Sequence, residues 1–282
     1  MKREEKEIII QKALAEYKQS EDISLTKLAE KYKIGRKTLS KRLKAEGYPV
    51  VNRQNEVRID ETVFDAIDTE EKAYWLGFLY ADGNIGSNEH KLEMNLQASD
   101  WEHMKKFQDF LKYKKDDVRI RPSYGKGGPI CRFSIRNKHI WNALNTKGCV
   151  PKKTLILQFP SQELFSSPDL IRHFMRGYVD GDGCLGIYPD SDGTLDTILT
   201  VAGMRGFLEK FADVLGEPKT IYNQKNSKAA QLQYGYKKAR RVARFLYEGA
   251  TIYLQRKFDI YKKFCQLEEQ SSMMKSSKNG EG

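Results

Sequence analysis

Two aspartate–glycine pairs are the residues in this sequence best placed to do chemistry. The first closes the run Trp75-Leu-Gly-Phe-Leu-Tyr-Ala-Asp82-Gly83, and the second closes Met175-Arg-Gly-Tyr-Val-Asp-Gly-Asp182-Gly183, so that the two aspartates stand 100 positions apart. Each run reads as the last turns of an apolar helix with a glycine, Gly77 or Gly177, near its middle. Such a glycine lowers helix propensity, yet it removes side-chain bulk and lets a second backbone approach. Gly83 and Gly183 read as left-handed terminators. A carboxylate at a helix C-terminus meets the negative end of the macrodipole. If the two helices pack on each other, Asp82 and Asp182 repel and raise each other's pKa unless a cation lies between them. A hard divalent ion such as Mg²⁺ takes oxygen ligands and keeps several waters, which suits phosphate chemistry. A lone Asp-Gly is a turn; two copies with matched glycines and matched apolar surroundings point to a structural repeat.

The elements that would position this pair follow the same order twice. After Gly83, Lys91–Gln97 alternates strictly, with Leu92, Met94 and Leu96 on one face. Asp100–Tyr113 is helical and buries Met104, Phe107 and Leu111. Val118–Arg121 and Cys131–Arg136 alternate again, with apolar inward faces and Arg119, Arg121, Arg132 and Arg136 outward. Four arginines on one sheet face form a stripe fit for a phosphate backbone or guanine edges. A helix near His139–Asn145 ends the first half. The second half runs through strands at Leu185–Tyr188 and Asp196–Ala202, a helix at Met204–Leu215, strands at Lys219–Asn223 and Gln231–Tyr236, and a basic helix. Its last strand turns out Gln231 and Gln233, suited to adenine edges. Outside the motif the halves share an offset of 104, which matches Phe107 with Phe211, Leu111 with Leu215 and Lys153 with Lys257.

Residues 1–47 read as three helices. Ile8, Ile9, Leu14 and Tyr17 lie on one face of the first, Ser24 caps the second, and Ile34-Gly35 turns into the third. A short helix, a glycine turn and a second helix make the helix-turn-helix pattern of DNA binding. From Lys27 to Lys44 there are eight basic residues against one acid, Glu30. Arg36, Lys37, Ser40, Lys41 and Arg42 are the expected contacts. The polar stretch that follows reads as a linker, with Asn52, Arg53, Gln54 and Arg58 suited to a groove-tracking arm.

Composition narrows the partner. The 282 residues carry a net charge of +11 and an isoelectric point near 9.3, which favours nucleic acid before membrane. No apolar run approaches a membrane span, and the N-terminus is not a secretory signal. Cys131, Cys149, Cys184 and Cys265 lack CxxC spacing, which argues against zinc and for reduced thiols in a cytoplasm.

The doubled motif resembles that of the LAGLIDADG homing endonuclease family in its single-chain, two-motif form, over residues 69–265. Tyr80 departs from the motif where an earlier aspartate would stand; Asp180 keeps it in the second copy. The resemblance implies an α+β fold: two pseudo-symmetric αββαββα repeats with saddle-shaped antiparallel sheets, beside an N-terminal all-α helix-turn-helix module. The expected divisions are a helix-turn-helix domain at 1–47, a linker at 48–68, repeats at 69–158 and 168–268 with a linker at 159–167 between them, and a disordered tail at 269–282. The implied activity is site-specific hydrolysis of both strands of a long asymmetric DNA target by a monomer. Asp82 and Asp182, helped by the backbone carbonyls of Ala81 and Gly181, would bind Mg²⁺, for which Mn²⁺ substitutes. Lys153 and Lys257 resemble the family's charge-stabilising lysine, and Gln97 resembles a polar strand residue that holds water, with Val201 at its 104-offset position. Two other readings stand beside it: a non-cleaving transcription regulator, which loss of the motif acids would favour, and a maturase binding intron RNA. A protein-splicing role is disfavoured, and the implied location is cytoplasmic or organellar.

Overall fold

The computed structural model describes residues 3–19, 23–48, 50, 59–87, 90–114, 118–122, 128–151, 153, 156–190, 193–224 and 228–278. Asn52, Arg53, Gln54 and Arg58 lie outside them. The chain divides into two compact units, Met1–Ile59 with Tyr113–Lys115, and Asp60–Lys112 with Asp116–Gly282.

The first unit holds α1 (Arg3–Gln19), α2 (Leu25–Lys31) and α3 (Arg36–Ala45). Ser24 caps α2 by accepting the Lys27 N–H at 3.3 Å. The turn into α3 uses a left-handed Lys33, φ 53°, and Gly35 as N-cap. Ile10, Ala13, Leu14 and Tyr17 of α1 pack with Leu25, Leu28, Ile34, Leu39 and Leu43 into one core. Ile8, expected on the buried face, is instead 58% exposed. The i, i+3, i+4, i+7 stripe runs through 10, 13, 14 and 17, one step away from the one expected.

The second unit repeats one topology. Its first half is α4 (Glu70–Asp82), β1 (Gly83–Ile85), β2 (Lys91–Gln97), α5 (Trp101–Phe110), β3 (Arg119–Arg121), β4 (Ile130–Arg136) and α6 (Lys138–Thr146). The second is α7 (Leu170–Asp182), β5 (Gly183–Pro189), β6 (Leu195–Gly203), α8 (Arg205–Leu215), β7 (Thr220–Asn223), β8 (Ala230–Gly235) and α9 (Tyr236–Tyr247), followed by α10 (Gln255–Lys278). Both sheets are antiparallel, with orders β1-β2-β4-β3 and β5-β6-β8-β7. This is the α+β, αββαββα arrangement expected of each half. Alternation puts Leu92, Met94, Phe133 and Ile135 inside the first sheet, and Leu199, Val201, Leu232 and Tyr234 inside the second. Helices α5 and α8 cover these faces with Met104 and Phe107, and with Phe207 and Phe211.

Several expectations are corrected. Strand β3 buries none of its residues, and Ile120, expected inward, is 63% exposed: it lies on the edge strand, with only β4 beside it. Val63, Phe64 and Ile67 of the presumed 48–68 linker are buried in the second unit. Residues 159–167 pack rather than merely connect, since Phe159 meets the rings of Phe174, Phe207 and Phe211. The tail expected to be disordered from 269 continues α10 to Lys278; it has no proline or glycine to stop the helix before Gly280. No described helix is long and apolar enough to cross a membrane.

Candidate functional site

The site is built on the crossing of α4 and α7. A Cβ at Gly77 would lie 2.8 Å from the Phe174 carbonyl carbon and 3.0 Å from the Tyr178 nitrogen, and one at Gly177 would lie 2.8 Å from the Phe78 nitrogen. The two backbones therefore touch, and only glycine fits at the crossing. One turn further on, Gly181 faces Ala81, and a Cβ there would come within 3.3 Å of an Asp82 carboxylate oxygen. The crossing thus delivers Asp82 and Asp182 to one place, each at the head of its own sheet.

Gly83 and Gly183 are not left-handed terminators. Their φ/ψ values, −73°/134° and −101°/167°, are extended, so each helix passes directly into a strand. A Cβ at Gly83 would lie 2.5 Å from the Leu79 carbonyl oxygen, and one at Gly183 would lie 2.6 Å from that of Val179. Close approach to the helix end, not a positive φ, requires glycine here.

Burial and then the neighbouring Asp182 push the Asp82 carboxyl up to about 6, against the pull of Lys257 and Lys153. Asp182 is raised by burial and lowered by Lys153, Lys257 and Tyr178. It stays in contact with solvent, while the protein packed around it still disfavours its charge. Among the described residues no group of three or more His, Cys, Asp or Glu side chains could hold a metal.

The two lysines matched by the 104 offset do corresponding work. Lys153 donates to the carbonyl of Gly83. Lys257 donates to the carbonyls of Gly183, at 2.6 Å, and of Val179 and Asp180, each at 2.7 Å. Each ammonium therefore caps a motif-helix end and satisfies carbonyls left open there. Lys257 is buried, and burial pulls it down to about 8 against the attraction of Asp180. Gln97 ends β2 and is exposed. Sheet register corrects its counterpart: Gly83 pairs with Met94 and Gly183 with Val201, so Val201 matches Met94. Three residues on, Gln97 matches Met204, the N-cap of α8. The 104 offset holds for α5 and α8, whereas β2 and β6 correspond at an offset of 107 and β4 and β8 at 99.

Asp180 does not join the pair. It is fully buried and accepts from Tyr247 Oη at 2.6 Å, Tyr74 Oη at 2.7 Å and the Leu254 N–H at 2.7 Å. Burial raises its carboxyl, opposed by Lys257 and these donors. In the first repeat Tyr80 takes that position, and its hydroxyl reaches the Lys147 carbonyl beside a left-handed Gly148, φ 86°.

Of the outward arginines, Arg119 and Arg121 are exposed, and Arg132 is ion-paired with Glu93, so the expected stripe contains an acid. Gln231 and Gln233 stand outward, half-buried, on β8. In the first unit Arg36, Lys37, Ser40 and Lys41 line one open cavity of about 400 Å³ with Lys44. Arg42 does not join them, because its guanidinium bonds Glu7 at 2.8 Å.

Sequence reasoning missed a buried polar network. Arg176 has no exposed surface, and its guanidinium donates to Glu70 at 2.6 Å, to His173 Nδ1 at 2.8 Å, and to the carbonyls of Ile252 and Leu246, each at 2.9 Å. Burial pulls His173 down to about 4. A second histidine, His103, meets Tyr74 Oη at 3.0 Å and is pulled by burial to about 3, so both rings are neutral at pH 7. The available signal was the spacing 173, 176, 180: polar groups at i, i+3 and i+7 on a helix whose other charged residues are Arg172 and Asp182.

No protein-family model and no curated protein matches the sequence. Solved structures similar in chain course include the I-LtrWI LAGLIDADG homing endonuclease bound to target DNA, at 13% identity and a TM-score of 0.47 over 74% of this chain and 92% of that one. The LAGLIDADG homing endonuclease I-GzeII in complex with its DNA target gives 16% and 0.44, over 73% and 91%. The LAGLIDADG meganuclease I-AabMI bound to uncleaved DNA gives 14% and 0.47, over 72% and 91%. Likeness at these identities and TM-scores transfers neither residue roles nor activity.

Proposed function

We propose that the chain is a site-specific endonuclease that hydrolyses both strands of a DNA duplex with a divalent metal. The observation that carries this reading is the glycine-lined crossing of α4 and α7. It sets two carboxylates together with a lysine at each helix end and a four-stranded sheet running out from each. One such place with two near-equivalent halves suits two antiparallel strands, and sheets in a duplex groove would present alternating side chains to base edges.

The residues fit a hard cation. Two carboxylates whose charge is penalised by burial, at Asp82 also by the neighbouring Asp182, gain from one, and oxygen donors with room for water suit Mg²⁺ or Mn²⁺ better than zinc. Asp82 and Asp182 would hold it with the carbonyls of Ala81 and Gly181. When bound, such an ion activates water and stabilises the leaving oxygen. Lys153 and Lys257 hold the backbone just past each aspartate and place positive charge where a phosphate would gather negative charge. Gln97 stands at the end of β2 as a candidate holder of water. The three-helix unit, with Arg36, Lys37, Ser40 and Lys41 on one face, would bind DNA outside the cut site and raise affinity by tethering.

The test is incubation of the purified protein with its encoding locus, its own reading frame removed, in Mg²⁺. A discrete double-strand cut that Asp82→Asn and Asp182→Asn each abolish is the expected result. Tight, salt-sensitive binding with no cut in Mg²⁺ or Mn²⁺ would sink the nuclease reading and leave a DNA-binding regulator.

A further inference from the structure

The outward faces of the two sheets differ in charge, and their shared topology allows a position-by-position comparison. Because Gly83 pairs with Met94 and Gly183 with Val201, the row Asn95, Arg132, Arg119 in the first sheet occupies the place of Ala202, Gln231, Tyr222 in the second. The strands of the first sheet carry Lys91, Arg119, Arg121, Arg132 and Arg136 against Glu93. The strands of the second carry no lysine or arginine. Their one acid, Asp196, is occupied by the N–H groups of Thr197, at 2.6 Å, and Tyr236, at 3.0 Å.

Chemistry follows from placement. Arg132 lies on the interior strand β4 and is held by Glu93, whose carboxylate also takes Lys91 at 2.5 Å. A guanidinium so held keeps few rotamers and presents a planar fork of donors, which matches O6 and N7 of guanine. Gln231 and Gln233 occupy the corresponding interior strand, β8, with Tyr222 and Thr220 opposite them. Carboxamides match N6 and N7 of adenine, and methyl or ring carbon suits the thymine methyl.

Resting on the endonuclease reading above, we infer that the two halves of the target differ in base composition. The half under the first sheet is guanine-rich and is read by Arg132 and Arg119; the half under the second is rich in A·T pairs and is read by Gln231 and Gln233. The second sheet contributes no strand cation to phosphate binding, so phosphate contacts on that side fall to residues outside the strands.

The full-length protein in EDTA selects duplexes from a randomised library. Cutting the recovered duplexes in Mg²⁺ fixes their centre, and the two flanks are scored separately. One flank enriched in G·C pairs and the other in A·T pairs is expected. Arg132→Gln, or Arg119→Gln on the exposed edge strand, lowers affinity for the selected duplex roughly tenfold to a hundredfold and relaxes selection only in the G·C flank. Gln231→Ala does the same in the A·T flank. Flanks of equal composition overturn the inference and leave the endonuclease reading standing. So do arginine variants that weaken binding evenly across sequences with a shallower salt dependence, the mark of phosphate contact. If no duplex is enriched, or none of the enriched ones is cut, the endonuclease reading has failed and the inference falls with it.

Discussion

Replacing Asp82 by asparagine should abolish cleavage and yet stabilise the metal-free protein. Burial and the charge of Asp182 raise the Asp82 carboxyl from 3.8 to about 6. The folded state therefore binds this proton more tightly than the unfolded chain does. The wild-type contribution to stability is fully present below pH 3.8 and is lost as pH rises through about 6. Above that, ionised Asp82 costs the folded protein about 3 kcal/mol, an upper figure because the side chain is partly exposed. Asparagine carries no such charge. All three tryptophans, Trp75, Trp101 and Trp141, lie in the second unit, so their fluorescence follows its unfolding alone. In EDTA at pH 7.5, Asp82→Asn should raise the thermal midpoint by roughly 5–10 °C. At pH 4 the gain should shrink to about 0.5 kcal/mol, since wild-type Asp82 is then almost wholly protonated when folded and only a little more than half ionised when unfolded. Millimolar Mg²⁺ should stabilise the wild type and leave the variant unchanged. A variant no more stable than wild type at pH 7.5 would refute the premise that the two carboxylates strain the metal-free fold.

Three further outcomes are expected. Gly77→Ala places a methyl against the Phe174 backbone and should cost about 3 kcal/mol or more by urea unfolding; a change within about 0.5 kcal/mol would mean the helices do not touch there. Arg176→Met leaves the carbonyls of Leu246 and Ile252 without this donor and Glu70 with the Thr251 N–H but no cation, and should cost about 3–5 kcal/mol, part of it recovered when Glu70→Leu is added. The triple change Arg36→Ala, Lys37→Ala, Lys41→Ala should lower the slope of log Kobs against log salt by up to about 2.7 and leave the cut positions unmoved; an unchanged slope would remove this helix from the DNA contact surface.

The sequence by itself determined the repeat, the element order and the identity of the acid pair. These signals are local: an apolar helix ending in Asp-Gly, and period-two alternation at Lys91–Gln97 and Cys131–Arg136, survive without knowledge of what packs on them. The matched lysines at 153 and 257 were also visible, because both follow the third helix of their half at one offset. Tertiary structure decided the rest. Gly83 and Gly183 are extended rather than left-handed because a strand leaves the helix directly, and only the position of the Leu79 and Val179 carbonyls shows why a side chain is forbidden. Val201 was displaced as the counterpart of Gln97 because hydrogen-bond register, not chain offset, sets which strand residues correspond. Arg42 and Arg132 found acids, Glu7 and Glu93, that lie distant in sequence or across a strand. Arg176 and Asp180 became buried, fully satisfied groups only when α9 and the segment before α10 closed over them. Periodicity is a property of neighbours along the chain, whereas partnership and burial are properties of neighbours in space.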